Sequence, residues 1–418
     1  MHVARALRHR NYRLFFAGQG ISLVGTWLTR FAMGYETFHI THSTFELGLV
    51  AFFSQAPTSI IAPLAGVMVD RCDRHRTIVV TQICALLQSA ALAAFALTDT
   101  MTVWHLLVLG AAQAVINAFD MPARQSFLRQ MVDDRADLPN AIALNSSLVN
   151  AARLLGPVIA GVLVATIGVG WCFACDAASY VAVIASLLAM RVAPQPPRVR
   201  KDRVRDDLVD GFRYVNGIPL VRALLLLLLV TSAFGGATTA MLPAVADGMS
   251  SASDTDALAW LMSASGAGAL VGVLYLASRP NTAGLTSLIA VCGLGLGGGL
   301  VGLELAPTTF WVAVPLMCVT GASLIVQWSA TNTLVQTLVD DDKLGRVMSL
   351  HAVAFFAGAP IGALIEGVLA DAIGPIHTLA LGGVGCIACS LAFRRALPRL
   401  LVTATSRRSR SSEPAPRP

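Results

Sequence analysis

The sequence predicts an all-α integral membrane protein, with twelve transmembrane helices in two six-helix pseudo-repeat bundles. Three observations carry this reading. The 418 residues are 55% hydrophobic and only 13% charged, whereas a soluble domain is roughly 25% charged. Apolar stretches long enough to span a bilayer, about 20 residues each, recur along the chain. The stretch Gly161-Val-Leu-Val-Ala-Thr-Ile-Gly168 also returns as Gly367-Val-Leu-Ala-Asp-Ala-Ile-Gly374. The apolar runs are continuous rather than alternating. In lipid, only helices and closed barrels satisfy every backbone polar group, so helices are expected.

The arginine-rich start, Arg5 to Arg13, leads into an apolar run too long for a cleaved signal, so the first run is an uncleaved helix. Helices are expected near 14–38, 45–69, 77–98, 101–123, 139–167 and 169–191, then 220–246, 256–278, 283–305, 309–334, 346–371 and 376–396. Residues 1–192 form the first bundle and 219–400 the second. Between them, 193–218 is a Pro-rich, then charged, cytoplasmic linker with an amphipathic end at Leu208, Phe212 and Val215. The Ser-, Arg- and Pro-rich tail, 401–418, is expected to be a disordered, basic and cytoplasmic segment.

Arginine and lysine set the orientation. Arg71, Arg74, Arg76, Arg124, Arg129, Arg135, the 191–213 cluster, Arg279, Lys343, Arg346 and the tail arginines all fall on one side. The opposite loops near 39–44, 99–100, 247–255, 306–308 and 372–376 carry neither residue. Both termini are therefore expected in the cytoplasm. The net charge of +6 is a topological signal, so no nucleic-acid partner is expected; the partner is the lipid bilayer. Eight scattered cysteines suggest no disulfide framework. Cys172-x-x-Cys175 and Cys386-x-x-Cys389 lie inside apolar helices without nearby His or carboxylate sets, so no metal is expected. The Gly293–Gly299 run lacks the lysine and preceding strand of a phosphate loop. No nucleotide cofactor and no enzymatic nucleophile–base set emerges.

Two internal repeats of six helices suggest a transporter with its site at mid-membrane between the halves. At the same offset, Gly156 falls on Gly362 and Gly66 on Gly272. Gly66-x-x-x-Asp70-Arg71-x-x-Arg74-x-Arg76 resembles the loop 2–3 signature of the major facilitator superfamily, departing at Asp73, where many members have glycine. Phe119–Phe127, Leu138–Ser146 and Asn150–Pro157 resemble its bacterial exporter branch of enterobactin exporters and macrolide-efflux relatives. Gly156-Pro157 with Gly161 resembles the helix 5 antiporter signature and is assigned to helix packing. The resemblance covers residues 5–400 and implies a monomer in the inner membrane.

Asp70 sits at a helix C-terminus, where its own helix dipole repels it, so it requires a partner. The resemblance implies an inner gate of Asp70, Arg71, Arg74 and Arg76 against the start of helix 11 near Arg346. Gly66 and Gly272 are expected to permit close approach there. Arg30 and Arg153 fall inside spans, where an arginine costs about 2.5–3.5 kcal/mol on insertion scales. Acids inside or near spans are Asp120, Asp176 and Glu366; any of the three could carry a coupling proton, with Arg153 as part of the relay. A structural ion pair is the competing reading for Arg153 and Asp120. Helices 1, 4, 7 and 10 should line the cavity if the family architecture holds, which selects Gln19, Trp27, Arg30, Asn117, Gln327, Trp328 and Asn332 as substrate-binding candidates. Helix–helix hydrogen bonding is the alternative for each. The resulting expectation is an alternating-access secondary transporter, a proton-coupled antiporter exporting an amphipathic siderophore or multidrug-type small molecule. A metabolite importer of the same fold and a non-transporting membrane sensor or assembly partner are the rivals.

Overall fold

Among the residues that the computed structural model describes (5–128, 130–132, 134–191, 212–249, 254–279, 284–305 and 309–411), no strand forms. The first half holds α1 (Arg10–Thr41), α2 (Thr44–Phe53), α3 (Ala56–Arg71), α4 (Arg74–Leu97), α5 (Val103–Leu128), α6 (Leu138–Ile167) and α7 (Val169–Leu188). The second holds α8 (Pro219–Thr231), α9 (Ala237–Asp247), α10 (Asp254–Ala277), α11 (Leu285–Leu305), α12 (Phe310–Leu338), α13 (Asp341–Ile373) and α14 (Pro375–Ser411). Helices α2–α3 and α8–α9 are two interrupted spans. Among the described residues, eleven spans are long and apolar enough to cross a membrane by length and composition. The twelfth, α1, falls short because Arg10, Arg13, Gln19, Arg30 and Glu36 dilute its apolar run, yet it packs against α6 and α7 inside the bundle.

The second expected helix is broken. Pro57 has no backbone N–H and disfavours helical geometry in the residue before it. The chain accordingly leaves α2 at Ser54 and re-enters helix at Ala56, with Pro57 in the first turn of α3. Asp73, the departure from the loop signature, caps α4: its carboxylate accepts from the Arg76 backbone N–H at 2.8 Å. A π-helical turn, Ser232–Gly236, joins α8 to α9. The Gly358 and Gly362 faces press on Ser232 and Ala233 there. The linker at 193–211 and the end of the tail at 412–418 lie outside the described residues. The tail, expected to be disordered from 401, instead continues α14 through Ser411. No Gly or Pro interrupts the chain between Pro398 and Pro414, so nothing stops the helix sooner.

The same neighbours recur in both halves. α4 packs on α7 as α11 packs on α14, and α3 on α5 as α10 on α12. The halves meet through two seams that the internal repeat relates. In one, α2 meets α13: a Cβ on Gly48 would strike the Ala363 carbonyl and lie 2.9 Å from Gly367 Cα, and Thr44 Oγ1 donates to the Gly367 carbonyl at 3.3 Å. In the other, α6 meets α10: a Cβ on Gly161 would lie 2.5 Å from Ala259 Cβ, and one on Gly266 would lie 2.7 Å from the Arg153 carbonyl. Gly34 of α1 against Pro243 of α9 adds a third contact. Backbone-to-backbone approach of this kind is how membrane helices associate without a hydrophobic driving force. These contacts run from mid-membrane to the arginine-free end.

The basic end is different. At Gly66 and Gly345, none of the described residues lies within 4 Å of the point where a Cβ would stand. Gly66, expected to bring helices together, does not. Gly272 does pack closely, but on Ala322, Ile325 and Val326 of its own half rather than across the interface. A small residue packs closely only where another backbone stands opposite it, and no described residue does so at Gly66. Also at the basic end, Asp137 gathers the N-terminal segment: Arg8 Nη2 donates at 2.6 Å and His9 Nε2 lies at 3.0 Å. The His9 hydrogen bond, then Arg8 and Arg5, hold the Asp137 carboxyl below the usual carboxylate range against the opposing effect of burial.

Two outcomes follow from this packing. Replacing Gly48 with Leu forces the α2–α13 seam apart, and Thr44→Cys in a background without the native cysteines then labels several-fold faster with a membrane-impermeant maleimide. Asp137→Asn lowers the melting temperature in micelles at pH 7. Because the native Asp137 pKa is depressed, its contribution is complete above the unfolded value of about 3.9 and fades below it. The gap between variant and wild type therefore narrows as pH falls toward 3.

Candidate transport cavity

A cavity of about 320 Å³ runs up the wall of the first half from the basic end. Phe15, Gln125, Leu128 and Asn145 line its mouth, and Thr26, Arg30 and Gln113 lie deeper. α1, α4, α5, α6 and α7 all contribute to the lining. Each lining amide sits on a helix whose other faces are apolar, so the polar stripe points inward by helical periodicity.

Asp120 and Arg124 dominate the middle of the wall. They are one helical turn apart on α5, and Arg124 Nε lies 2.5 Å from Asp120 Oδ2. Thr81 Oγ1 and Gln82 Nε2 of α4 donate to Asp120 Oδ1 at 2.8 and 2.9 Å. Arg124 Nη1 donates to Gln19 Oε1 of α1. The network ties α1, α4 and α5 together and leaves Asp120 neutralised by a cation. Asn117, one turn deeper, accepts from Gln113 at 3.3 Å and also faces the cavity.

Arg30 projects into the deepest part, exposed to the cavity, with its guanidinium 5.2 Å from the Trp27 ring centroid. Trp27 is held by Gly156, whose missing Cβ leaves room for the indole stem. Pro157 sits beside it inside α6. Arg153, one turn before Gly156 on α6, is half-buried. Asp176 lies behind this wall, 1% exposed. Its Oδ2 accepts from Thr29 at 2.7 Å and Ser89 at 2.8 Å, while Oδ1 lies 2.5 Å from where a Gly25 Cβ would stand.

The second half contributes a separate polar set. Gln327 is fully buried, with neither amide atom hydrogen-bonded among the described residues. Trp328 meets Phe355 edge to face at 4.6 Å, and Asn332 accepts from Gln336 at 3.2 Å. Glu366 is 1% exposed, and neither carboxyl oxygen has a hydrogen-bond partner among the described residues. The structure thus brings Gln19, Arg30, Asn117 and Asp120 to one cavity wall and leaves Gln327, Trp328, Asn332 and Glu366 on the other bundle. Of the expected gate, the Asp70 and Arg71 side chains lie outside the described set, Arg76 is exposed, and Arg74 and Arg346 each have a partner. Sequence reasoning missed Arg124, assigned to a loop. Its i, i+4 spacing from Asp120 is the signal that finds it. Thr81, Gln82 and Tyr180 gave no signal beyond being polar in an apolar helix.

Breaking the Asp120–Arg124 pair exposes one buried charge without its partner. Asp120→Asn should cost about 1–3 kcal/mol. Arg124→Gln added to it should cost less than the sum of the two single changes, by thermal unfolding in micelles.

Comparison with known proteins agrees over nearly the whole chain. A family described as transmembrane secretion effector matches residues 3–417. The enterobactin exporter EntS of Shigella boydii is 27% identical over 412 residues, covering 97% of this chain and 95% of its own, and EntS of Escherichia coli matches to the same extent. Among solved structures, the nucleoside transporter NupG superposes with a TM-score of 0.71 at 12% identity, over 94% of this chain and 99% of its own. A POT family transporter in complex with a thioalcohol-conjugated peptide gives 0.73 at 11%, over 94% and 96%. A bacterial homologue of the lysosomal transporter Spinster gives 0.65 at 16%, over 95% and 97%.

Proposed function

From the premise that this chain belongs to the transmembrane secretion effector family of major facilitator-type transporters, we propose that it exports an amphipathic small molecule, by alternating access and in exchange for protons. The observation that carries this reading is the cavity itself. Its wall mixes apolar surface with polar and charged side chains of the first half, from Phe15 and Leu128 toward the basic end to Arg30 deeper, while the close contacts of Gly48 and Gly161 across the halves lie toward the other end. A pathway closed at one end and open at the other is what alternating access requires. The family description and the enterobactin exporter EntS as a relative favour outward transport and a siderophore among the amphipathic candidates. With the basic loops in the cytoplasm, the cavity is loaded from inside, in the inner membrane of a bacterium, by a monomer.

Closing the basic end would bring α3 toward the start of α13. We assign to that end the inner gate of Asp70, Arg71 and Arg74 with Arg346, which would hold the state in which the glycine seams part. Glu366 and Asp176 are the proton-site candidates, since each is buried and keeps at least one oxygen without a hydrogen-bond donor among the described residues. Asp120 is a weaker carrier because Arg124 already neutralises it.

Metabolite profiling of a deletion strain, its wild-type complement and an Asp70→Asn complement tests the reading. One compound should be retained in deletion cells and missing from their medium, with wild type restoring its release and Asp70→Asn restoring much less. Dissipating the proton gradient, or Glu366→Gln, should cut release at least fivefold. A compound left unused in the medium would make the chain an importer, and release unaffected by the gradient would remove proton coupling.

A further inference from the structure

We propose that the outward face of α8 and α14 at the basic end is a binding site for an anionic phospholipid. Arg222, Arg394 and Arg395 take the headgroup phosphate, and the apolar stripes beside them carry the acyl chains.

The two helices are neighbours in the second half. α8 packs on α14, and Val221 shares a core cluster with Phe393 and Leu397. Each helix turns another face away from that core. On α8 the exposed positions Arg222, Leu226 and Leu229 are spaced four and three residues apart, so they form one stripe. On α14 Leu381, Val384, Leu391 and Arg395 form another, at spacings of three, seven and four. Neither stripe lines the cavity. Both belong to spans long and apolar enough to cross a membrane, Pro219–Asp247 and Pro375–Leu400. Leu226, Leu381 and Val384 are each more than half exposed on those spans, as lipid-facing side chains are.

Both stripes end in charge at the same end of the molecule. Arg222 is in the first turn of its span, and Arg394 and Arg395 are in the last two turns of theirs. At that depth a bilayer passes from acyl chain to phosphate. Arg399, one turn beyond Arg395, is also exposed. Among the described residues no acid pairs with Arg222, Arg394 or Arg395. Neither helix carries an Asp or Glu, although α14 runs for 37 residues. Asp340, just before α13, accepts from the Tyr214 hydroxyl at 2.7 Å. A topological signal needs only positive charge in the loops. Here three arginines stand on the spans themselves, each beside apolar lipid-facing surface. Guanidinium forks match phosphate oxygens. A zwitterionic lipid brings an ammonium that the arginines repel, so a net anionic headgroup is the one that fits.

The test uses the full-length protein in detergent micelles, titrated with dioleoyl phosphatidylglycerol or dioleoyl phosphatidylcholine, with bound lipid counted by native mass spectrometry. Wild type should prefer phosphatidylglycerol roughly tenfold or more, as three arginines at a membrane surface allow. Arg222→Gln alone, and Arg394→Gln with Arg395→Gln, should each reduce that preference several-fold. The triple change should abolish it and leave the melting temperature in phosphatidylcholine unchanged. Lysine at all three positions should retain part of it, which separates charge from folding damage. Two controls should leave the preference in place: Arg13→Gln, at an exposed arginine of α1, and Arg407→Gln with Arg408→Gln and Arg410→Gln, farther along the tail. Equal binding of the two lipids, a preference that survives the triple change, or one lost in either control would overturn the proposal.

Discussion

The structure depends on close backbone contact between two halves that have little reason to adhere in lipid. Gly48 against Gly367, and Gly161 against Ala259, replace side chains with direct approach, so dispersion and carbonyl contacts act at short range. Both seams lie toward one end. At the other end, no described residue lies within 4 Å of where a Cβ on Gly66 or Gly345 would stand. The asymmetry defines the cavity and its mouth at once. A contact made of small residues is also separable: no interdigitated side chains need to be withdrawn for the halves to rock.

The buried charges divide by how they are answered. Asp120 and Arg124 answer each other and knit three helices of the first half into one wall. Asp176 is answered by hydroxyls, which fix it behind that wall. Arg30 faces the cavity over the Trp27 ring, whose stem lies in the room that Gly156 leaves.

Hydropathy and repeat made the helices, their number and the two-fold plan legible in sequence, because spans must be long, apolar and internally hydrogen-bonded. Gly161 and Gly367 are recognisable as repeat mates, yet their partners are not, since one sequence says nothing about which helix lies opposite. The Ser54–Gln55 break is hidden inside an apolar run, with only Pro57 to mark it. Gly66 misleads because a small residue marks close approach only in the conformation where the opposing helix is present. Arg124 is legible through its spacing from Asp120, but proximity to the basic loops draws it into the topological signal. Asp73, which departs from the loop signature, has a local explanation as the cap of α4.

The central claim is that the two ends open alternately about the glycine seams. The most direct measurement is a pair of spin-label distances in nanodiscs, one from Arg76→Cys to Gly345→Cys at the basic end, the other from Thr41→Cys to Asp371→Cys at the arginine-free end. The account predicts two populations whose distances change in opposite senses: when the basic end shortens, the other lengthens. A single unchanging distance at both ends, or two ends that open and close together, would contradict it.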